Sequence, residues 1–334
     1  MIHETIILNE KRNVTLTTYI LPVGGEFSTV QKRPVVFVIP GGGYEMCSDR
    51  EAEPIALAYN RKGYSAVVLR YSVKENAKWP NPLDDYEQAM ELVRSKAEVW
   101  SINADQITVI GFSAGGHLAS AAATIARNKP NAAILAYPCT TKEIMNTLHK
   151  DAPGTVEFVD KSTCPCFIFT TRTDGIVPVH NSLAFADALD KKGIEFEMHI
   201  YGYGSHGFSL TDFLGNKTGE EYTDLCSRTK NWFEDSVAWL NDVYGTNQEA
   251  KFKNAKLWDK TATKLSTENT IGHLMSIPEA VEVLGSVMPM EPSNPFMESL
   301  KFSQLGHLLH MAKMPQQVVD TINEKLSKID NPGI

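Results

Sequence analysis

Long apolar runs, an excess of positive charge and a paired set of cysteines are all missing from this chain of 334 residues. No apolar stretch approaches the roughly 18 residues that a membrane-spanning helix needs. Residues 1–5 lack the basic start and apolar run of a signal peptide. Acidic residues outnumber basic ones, 40 to 32, giving a formal net charge of −8. That balance leaves no electrostatic footprint for nucleic acid, and no basic amphipathic stretch suits an anionic membrane. The cysteines, at positions 47, 139, 164, 166 and 226, are odd in number and scattered, which argues against a disulfide framework. Cys164-Pro165-Cys166 is too short for a CxxC redox pair and reads as two free thiols entering a buried strand. These absences predict a cytoplasmic protein whose partner is a small molecule.

What is present is an alternation of strand-like and helix-like segments from about residue 5 to residue 240. Residues 15–21 alternate like an exposed-edge strand, and 35–39 form a continuous apolar β-branched run suited to burial on both faces. Further strands are expected at 65–71, 107–110, 133–137, 167–171 and 196–201, with helices over 51–62, 83–100, 118–126, 181–192 and 225–244. Asp84 and Asp85 fall in the first turn of the second helix, where they suit its dipole. Such alternation predicts a mostly parallel sheet covered by helices on both faces. In sheets of this kind, ligands bind at the carboxyl ends of the strands. Residues 140–162 interrupt the alternation and are a candidate flap over the site.

Residues 245–266 are polar and lysine-rich and read as a linker. Beyond it, 267–334 show short helical patterns punctuated by proline, over 270–276, 278–287, 302–311 and 316–328, with Pro278 and Pro315 at helix starts. This all-helical module is too small to bury more than a marginal core. It is expected to dock on the rest of the chain or on another subunit, which makes it a candidate homo-oligomer contact.

Gly111-Phe112-Ser113-Ala114-Gly115-Gly116 lies between a strand and an alanine-rich helix, the context that makes Gly-X-Ser-X-Gly a nucleophile elbow. The glycines two residues before and after the serine remove Cβ atoms that would clash at so sharp a turn. A serine hydroxyl needs a base. His206, in a glycine-rich loop directly after the 196–201 strand, is that candidate. His199 sits inside the strand itself, and His180 precedes a helix. Asp174, just past the 167–171 strand, is the candidate that orients the imidazole; taken alone it would read as turn chemistry. Pro40-Gly41-Gly42-Gly43-Tyr44 follows the buried 35–39 strand. It has neither the spacing nor the Gly-Lys-Ser/Thr ending of a phosphate loop. Its Gly42 and Gly43 amides, with that of Ala114, fit an oxyanion hole.

Together the elbow, the Gly-Gly-Gly-Tyr loop, Asp-Gly-Ile-Val-Pro at 174–178 and Ser-His-Gly-Phe at 205–208 resemble an α/β-hydrolase. More narrowly they resemble bacterial acetyl-xylan-esterase-like carbohydrate esterases, over residues 5–244. Ser48-Asp49-Arg50-Glu51, Tyr71-Ser72, Pro82-Leu83-Asp84-Asp85 and Gly115-Gly116-His117-Leu118-Ala119 add to the similarity. The resemblance implies the α/β-hydrolase fold and a serine esterase for short acyl groups, acetyl foremost, on sugars or oligosaccharides. Pro40 stands where hormone-sensitive-lipase-like esterases carry histidine, which sets the chain outside that group. Tyr44, Arg50 and Trp79 are candidates for substrate contact, although Trp79 also reads as a loop aromatic packed on the core, and Arg50 with Glu51 as a helix cap. His117 is expected to pack under the elbow helix. His307 and His310 lack an acidic or cysteine partner nearby in sequence and read as structural or surface residues. The triad supplies base, nucleophile and electrostatics itself, so no cofactor or metal is implied. A serine peptidase of the same fold, a general short-chain carboxylesterase and a binding protein with a vestigial elbow are the alternatives. The full set of three side chains plus the glycine loop argues against the last.

Overall fold

The computed structural model describes residues 1–27, 29–211, 224–245, 262–286 and 299–332. They form two compact units, a large one drawn from residues 1–190 and 194–254 and a small one drawn from residues 191–193 and 255–334. Most of the expected linker, residues 246–261, lies outside the described residues.

Continuous β-branched runs build the centre of the large unit. In β3 (Arg33–Ile39), Val35, Phe37 and Ile39 enter one apolar cluster while Val36 and Val38 enter another. A strand whose alternate side chains are all apolar has no solvent face, so helices must cover both sides. Among the described residues the sheet has eight strands in the order β1-β2-β4-β3-β5-β6-β7-β8. These are β1 (Thr5–Asn9), β2 (Val14–Tyr19), β4 (Ser65–Arg70), β5 (Ile102–Phe112), β6 (Ala132–Ala136), β7 (Cys166–Thr171) and β8 (Phe196–Tyr201), with β3. β1 and β2 run antiparallel to their neighbours, and every pairing from β4 to β8 is parallel. β1 carries no clear alternation and is half-exposed at the sheet edge, so the sequence pattern does not reveal it.

The order β4-β3-β5 matters most for function. From β3 the chain moves first to one side, then returns to place β5 on the other. The crevice outside the carboxyl ends of such a reversal is where open α/β sheets bind ligands. Ile39 and Gly111 are in register across it.

The helices of the large unit are α1 (Glu53–Arg61), α2 (Asn81–Ser95), α3 (Ala114–Thr124), α4 (Lys142–Leu148), α5 (His180–Lys191) and α6 (Trp232–Tyr244). Two differ instructively from the sequence pattern. α2 starts two residues before Leu83, and Asp85 is not a solvated first-turn carboxylate. It is fully buried, forms an ion pair with Arg12, and accepts the Ser72 amide at 2.8 Å. α1 starts only at Glu53, because Asp49–Glu51 form a separate 3-10 turn that points Glu51 inward.

Among its described residues the small unit has four helices and no strand: α7 (Ile271–Met275), α8 (Pro278–Gly285), α9 (Leu305–Met311) and α10 (Gln316–Leu326). It is built twice over. Ile271-Gly272-His273-Leu274 and Leu305-Gly306-His307-Leu308 open α7 and α9, and the residues before them pair as Thr270 with Gln304. The Ile271 amide donates to Ser303 O and the Leu305 amide to Asn269 O, at 2.9 and 3.1 Å. Each half then runs through a proline-started or proline-preceded helix, and Leu274, Leu284, Leu309 and Ile322 close one shared core. Among the described residues no helix is long and apolar enough to cross a membrane.

Candidate active site

β5 ends where glycine becomes obligatory. A Cβ on Gly111 would lie 2.1 Å from Gly115 O, and one on Gly115 would lie 2.3 Å from Ile39 O. The strand, the first turn of α3 and the end of β3 therefore touch backbone to backbone. Ser113 sits at the sharpest point, with φ 54° and ψ −117°. This left-handed backbone costs a non-glycine residue about 1–3 kcal/mol and persists only where the surroundings over-determine it. They do so here: the Ser113 amide donates to Ala136 O at 2.9 Å, and its carbonyl accepts the His117 amide at 3.0 Å.

The loops after β7 and β8 complete the arrangement. Asp174 is buried, and its Oδ1 accepts the amides of Ile176 and Val177, both at 2.9 Å. Those bonds hold Oδ2 toward His206 Nδ1, 2.6 Å away. His206 Nε2 in turn lies 2.8 Å from Ser113 Oγ. A carboxylate only accepts, so Nδ1 carries the proton and Nε2 is left to accept from the serine hydroxyl. The ring of Tyr137 packs edge-on against His206 at 4.9 Å. The structure thus brings Ser113, His206 and Asp174 into one hydrogen-bonded line, able to deprotonate the serine and stabilise the resulting imidazolium.

The glycine loop lies across the same crevice. The Gly41 amide is taken up by Glu51 Oε2 at 3.0 Å. Among the described residues none of the Gly42, Gly43 and Ala114 amides donates to another protein group. Gly42 and Gly43 both have positive φ, and a Cβ on Gly42 would meet Met46 O at 2.2 Å. Gly42 and Gly43 line the same cavity as Ser113, and Ala114 follows that serine at the start of α3; free amides at these positions are candidates to hold a developing oxyanion.

A cavity of about 390 Å³ opens over Ser113. Gly42, Gly43, Ser113 and His206 line it, with Ile144, Leu148, Ile176 and Val177 as its apolar wall. Ile144 and Leu148 belong to α4, so the interrupting 140–162 segment does wall the site. Cys139 also faces it; burial pushes that thiol up to about 12, so it stays protonated at neutral pH. Arg50 lines the cavity and donates from Nη1 to Gly207 O at 2.7 Å.

Two sequence candidates lie elsewhere. Tyr44 is fully enclosed beneath the loop, its phenol 2.6 Å from His117 Nδ1. Trp79 packs edge-on against His117 and lines a different groove with Lys142 and Phe158. The sequence reading missed the cavity-facing residues of α4, Cys139, and the contacts of Glu51 and Tyr137. The available signals were the interruption at 140–162, the Ser48-Asp49-Arg50-Glu51 run, and a tyrosine directly after the β6 run, at the same sheet edge as the serine.

His117 ties this region together. Its Nε2 donates to Pro153 O at 2.8 Å, so Nδ1 accepts from Tyr44. Burial, with lesser contributions from His149 and Lys142, lowers its pKa from 6.5 to about 4. The unfolded chain therefore takes up this proton before the folded one does. The neutral ring's stabilisation is fully present above pH 6.5 and is lost as the pH falls toward 4. At roughly 1.4 kcal/mol per pH unit the loss reaches about 3 kcal/mol. Urea unfolding at several pH values across this window, in wild type and His117→Gln, is expected to give a shallower acid slope for the variant. Equal slopes would show that His117 does not carry the effect.

Comparison with known proteins bears on the family of the chain. The BD-FAE family model matches residues 26–146, and the prolyl oligopeptidase family model matches residues 146–235. The chain is 41% identical to MGS-M1, an α/β-hydrolase from a Medee basin deep-sea metagenome library, with a TM-score of 0.67 over 73% of this chain and 98% of that one. This chain belongs to the α/β-hydrolases. As an α/β-hydrolase it is also similar to the acetyl ester-xyloside bifunctional hydrolase of Caldicellulosiruptor lactoaceticus, at 31% identity and a TM-score of 0.62, covering 72% of this chain and 96% of that one. An acetylxylan esterase of Xylanibacter ruminicola is 29% identical over 64% of this chain and 51% of its own. The chain spans 35% and 51% of the first two curated relatives it matches, so it corresponds to part of each of them.

Proposed function

We propose that this α/β-hydrolase is a serine carboxylic ester hydrolase that removes short acyl groups, acetyl foremost, from sugars or short oligosaccharides. The observation that carries the reading is the line Asp174–His206–Ser113, with bonds of 2.6 and 2.8 Å, opening into a cavity also lined by Gly42 and Gly43. Ser113 Oγ attacks the ester carbonyl as its proton passes to His206 Nε2. Asp174 stabilises the imidazolium. The amides of Gly42, Gly43 and Ala114 take the oxyanion. As the tetrahedral intermediate collapses, the imidazolium protonates the leaving alcohol. Water, activated by the same imidazole, then releases the acid from the acyl-enzyme.

The choice of acyl group and alcohol draws on the relatives named for acetylxylan and acetyl ester-xyloside hydrolysis. The apolar wall of Ile144, Leu148, Ile176 and Val177 is consistent with a small alkyl group beside the serine. The test is a panel of p-nitrophenyl acetate, butyrate and octanoate, acetylated xylo-oligosaccharides and short peptide anilides. Acetyl esters are expected to exceed octanoyl esters in kcat/KM by at least about tenfold, the lower end of what a single methylene is worth in a pocket. The prolyl oligopeptidase match over the residues bearing Asp174 and His206 makes peptide cleavage the competing reading. Faster turnover of the anilides than of any ester would establish that reading instead.

A further inference from the structure

Glu51 is a carboxylate where water does not reach, 3% exposed, in a position no step of the ester mechanism uses. Removing a charge from water is costly unless it is met by donors. Burial accordingly raises the Glu51 pKa, against the opposing pull of Tyr137, Arg50, the Gly41 amide and His206. Its two oxygens are divided between two loops. Oε2 accepts the Gly41 amide at 3.0 Å, and Oε1 accepts the Tyr137 hydroxyl at 2.7 Å.

Each contact reaches one side of the chemistry. A Cβ on Gly41 would lie 2.6 Å from Phe112 O and 3.0 Å from Ser113 Cβ, so the glycine loop rests directly on the elbow. Anchoring the Gly41 amide fixes the chain from which the Gly42 and Gly43 amides project. On the other side, Tyr137 Oη accepts the Ser209 amide at 3.2 Å, and its ring lies against His206. Ser209 Oγ donates back to Arg50 O at 2.7 Å, and Arg50 Nη1 to Gly207 O at 2.7 Å. The turn holding Glu51 therefore grips the histidine loop as well as the glycine loop.

We infer that Glu51 is a positioning residue that sets the oxyanion amides and the His206 loop in register with Ser113. The inference rests on the ester-hydrolase reading. It is independent of the identity of the ester, since both loops act on any acyl carbonyl. A displacement of about 1 Å in such groups costs on the order of 10²-fold in rate, and an oxyanion donor is worth about 10²–10³ in kcat.

The experiment compares wild type, Glu51→Ala, Glu51→Gln and Tyr137→Phe. The active fraction of each is first titrated with a fluorophosphonate. Then kcat and KM for p-nitrophenyl acetate, and the affinity for a boronic acid that forms a tetrahedral serine adduct, are measured per titrated site. Glu51→Ala is expected to lose roughly 10²-fold in kcat, with KM changed by less than about threefold and boronate affinity falling in parallel. Glu51→Gln keeps an acceptor for the Gly41 amide and should recover about tenfold of that loss. Tyr137→Phe removes the donor to Glu51 Oε1 and the bond to the Ser209 amide, leaves the Gly41 anchor and the Arg50 contacts in place, and should fall between Glu51→Gln and Glu51→Ala. If Glu51→Ala does not fold, the other two variants still decide. Per-site kcat and boronate affinity within about twofold of wild type in both would overturn the inference, whatever happens to melting temperature, because a purely structural role lowers the active fraction and not the rate of each site. Wild type that neither reacts with the fluorophosphonate nor cleaves the acetate would instead overturn the ester-hydrolase reading, and this inference with it.

Discussion

Ser113→Ala is expected to lower kcat/KM for p-nitrophenyl acetate by roughly 10⁴- to 10⁶-fold while leaving the fold intact. Removing one oxygen from a half-buried residue creates almost no cavity, so the melting temperature should not move by more than a degree or two. What remains is catalysis by the unpaired amides and by binding, about 10³-fold over water. Asp174→Asn should lose about 10⁴-fold with the geometry preserved. An amide facing His206 Nδ1 can donate, and the ring then presents the wrong tautomer to Ser113. The double variant should be no slower than Ser113→Ala alone, because the carboxylate acts only through the imidazole and the imidazole only through the serine. Fluorophosphonate labelling should disappear in Ser113→Ala. More than about a thousandth of wild-type activity left in Ser113→Ala would place the nucleophile elsewhere, since uncatalysed attack by water in the same site accounts for less.

How much of this was legible in the sequence follows from how local each feature is. The strands β3 to β7 announce themselves because burial on both faces forces continuous apolar runs; β8, half-buried at the sheet edge, shows apolar residues broken by Glu197 and His199, and Phe196–Tyr201 appears with its limits unchanged. Ser113, Asp174 and His206 could be singled out as candidates because each follows a strand within a few residues, at the one sheet edge where their side chains can meet. Other assignments depended on chain segments far apart. Asp85 looked like a helix-dipole residue; Arg12, 73 positions earlier, turns it into half of a buried ion pair. Tyr44 stood beside the glycine loop and looked available to substrate. Its partner His117, also 73 positions away, draws the phenol underneath. Glu51 belonged by pattern to a helix start, and only the 3-10 turn at 49–51 aims it at Gly41 and at Tyr137, 86 positions away. The duplication in the small unit was written in the sequence as Ile-Gly-His-Leu and Leu-Gly-His-Leu. It becomes a structural statement only through the reciprocal bonds around Thr270 and Gln304.

A large effect on stability is expected from a small addition, Gly115→Ala. The new methyl would sit 2.3 Å from Ile39 O, 2.4 Å from Pro40 O and 2.7 Å from the Pro40 carbonyl carbon, and every one of these is backbone. No side chain can rotate away, so either α3 retreats from the end of β3 or the Pro40–Gly43 loop lifts. Overpacking of a rigid site costs about 1–3 kcal/mol and more where backbone must move, which should lower the melting temperature by several degrees for a unit of this size. Activity should fall further than stability does, because the segment that moves carries the Gly42 and Gly43 amides relative to Ala114. Gly202→Ala is the control. Its added methyl meets nothing within 4 Å, and its φ is not in the left-handed region, so it should stay within about 0.5 kcal/mol of wild type. Thermal melts and per-site kinetics on the two variants separate the explanations. Equal behaviour would mean that the elbow and the glycine loop are not in backbone contact. A stable but slow Gly115→Ala would mean that the loop, rather than the helix, yields. In that case the spacing Gly-X-Ser-X-Gly is read at its second glycine as a requirement for close approach between two halves of one site, and not for the turn alone.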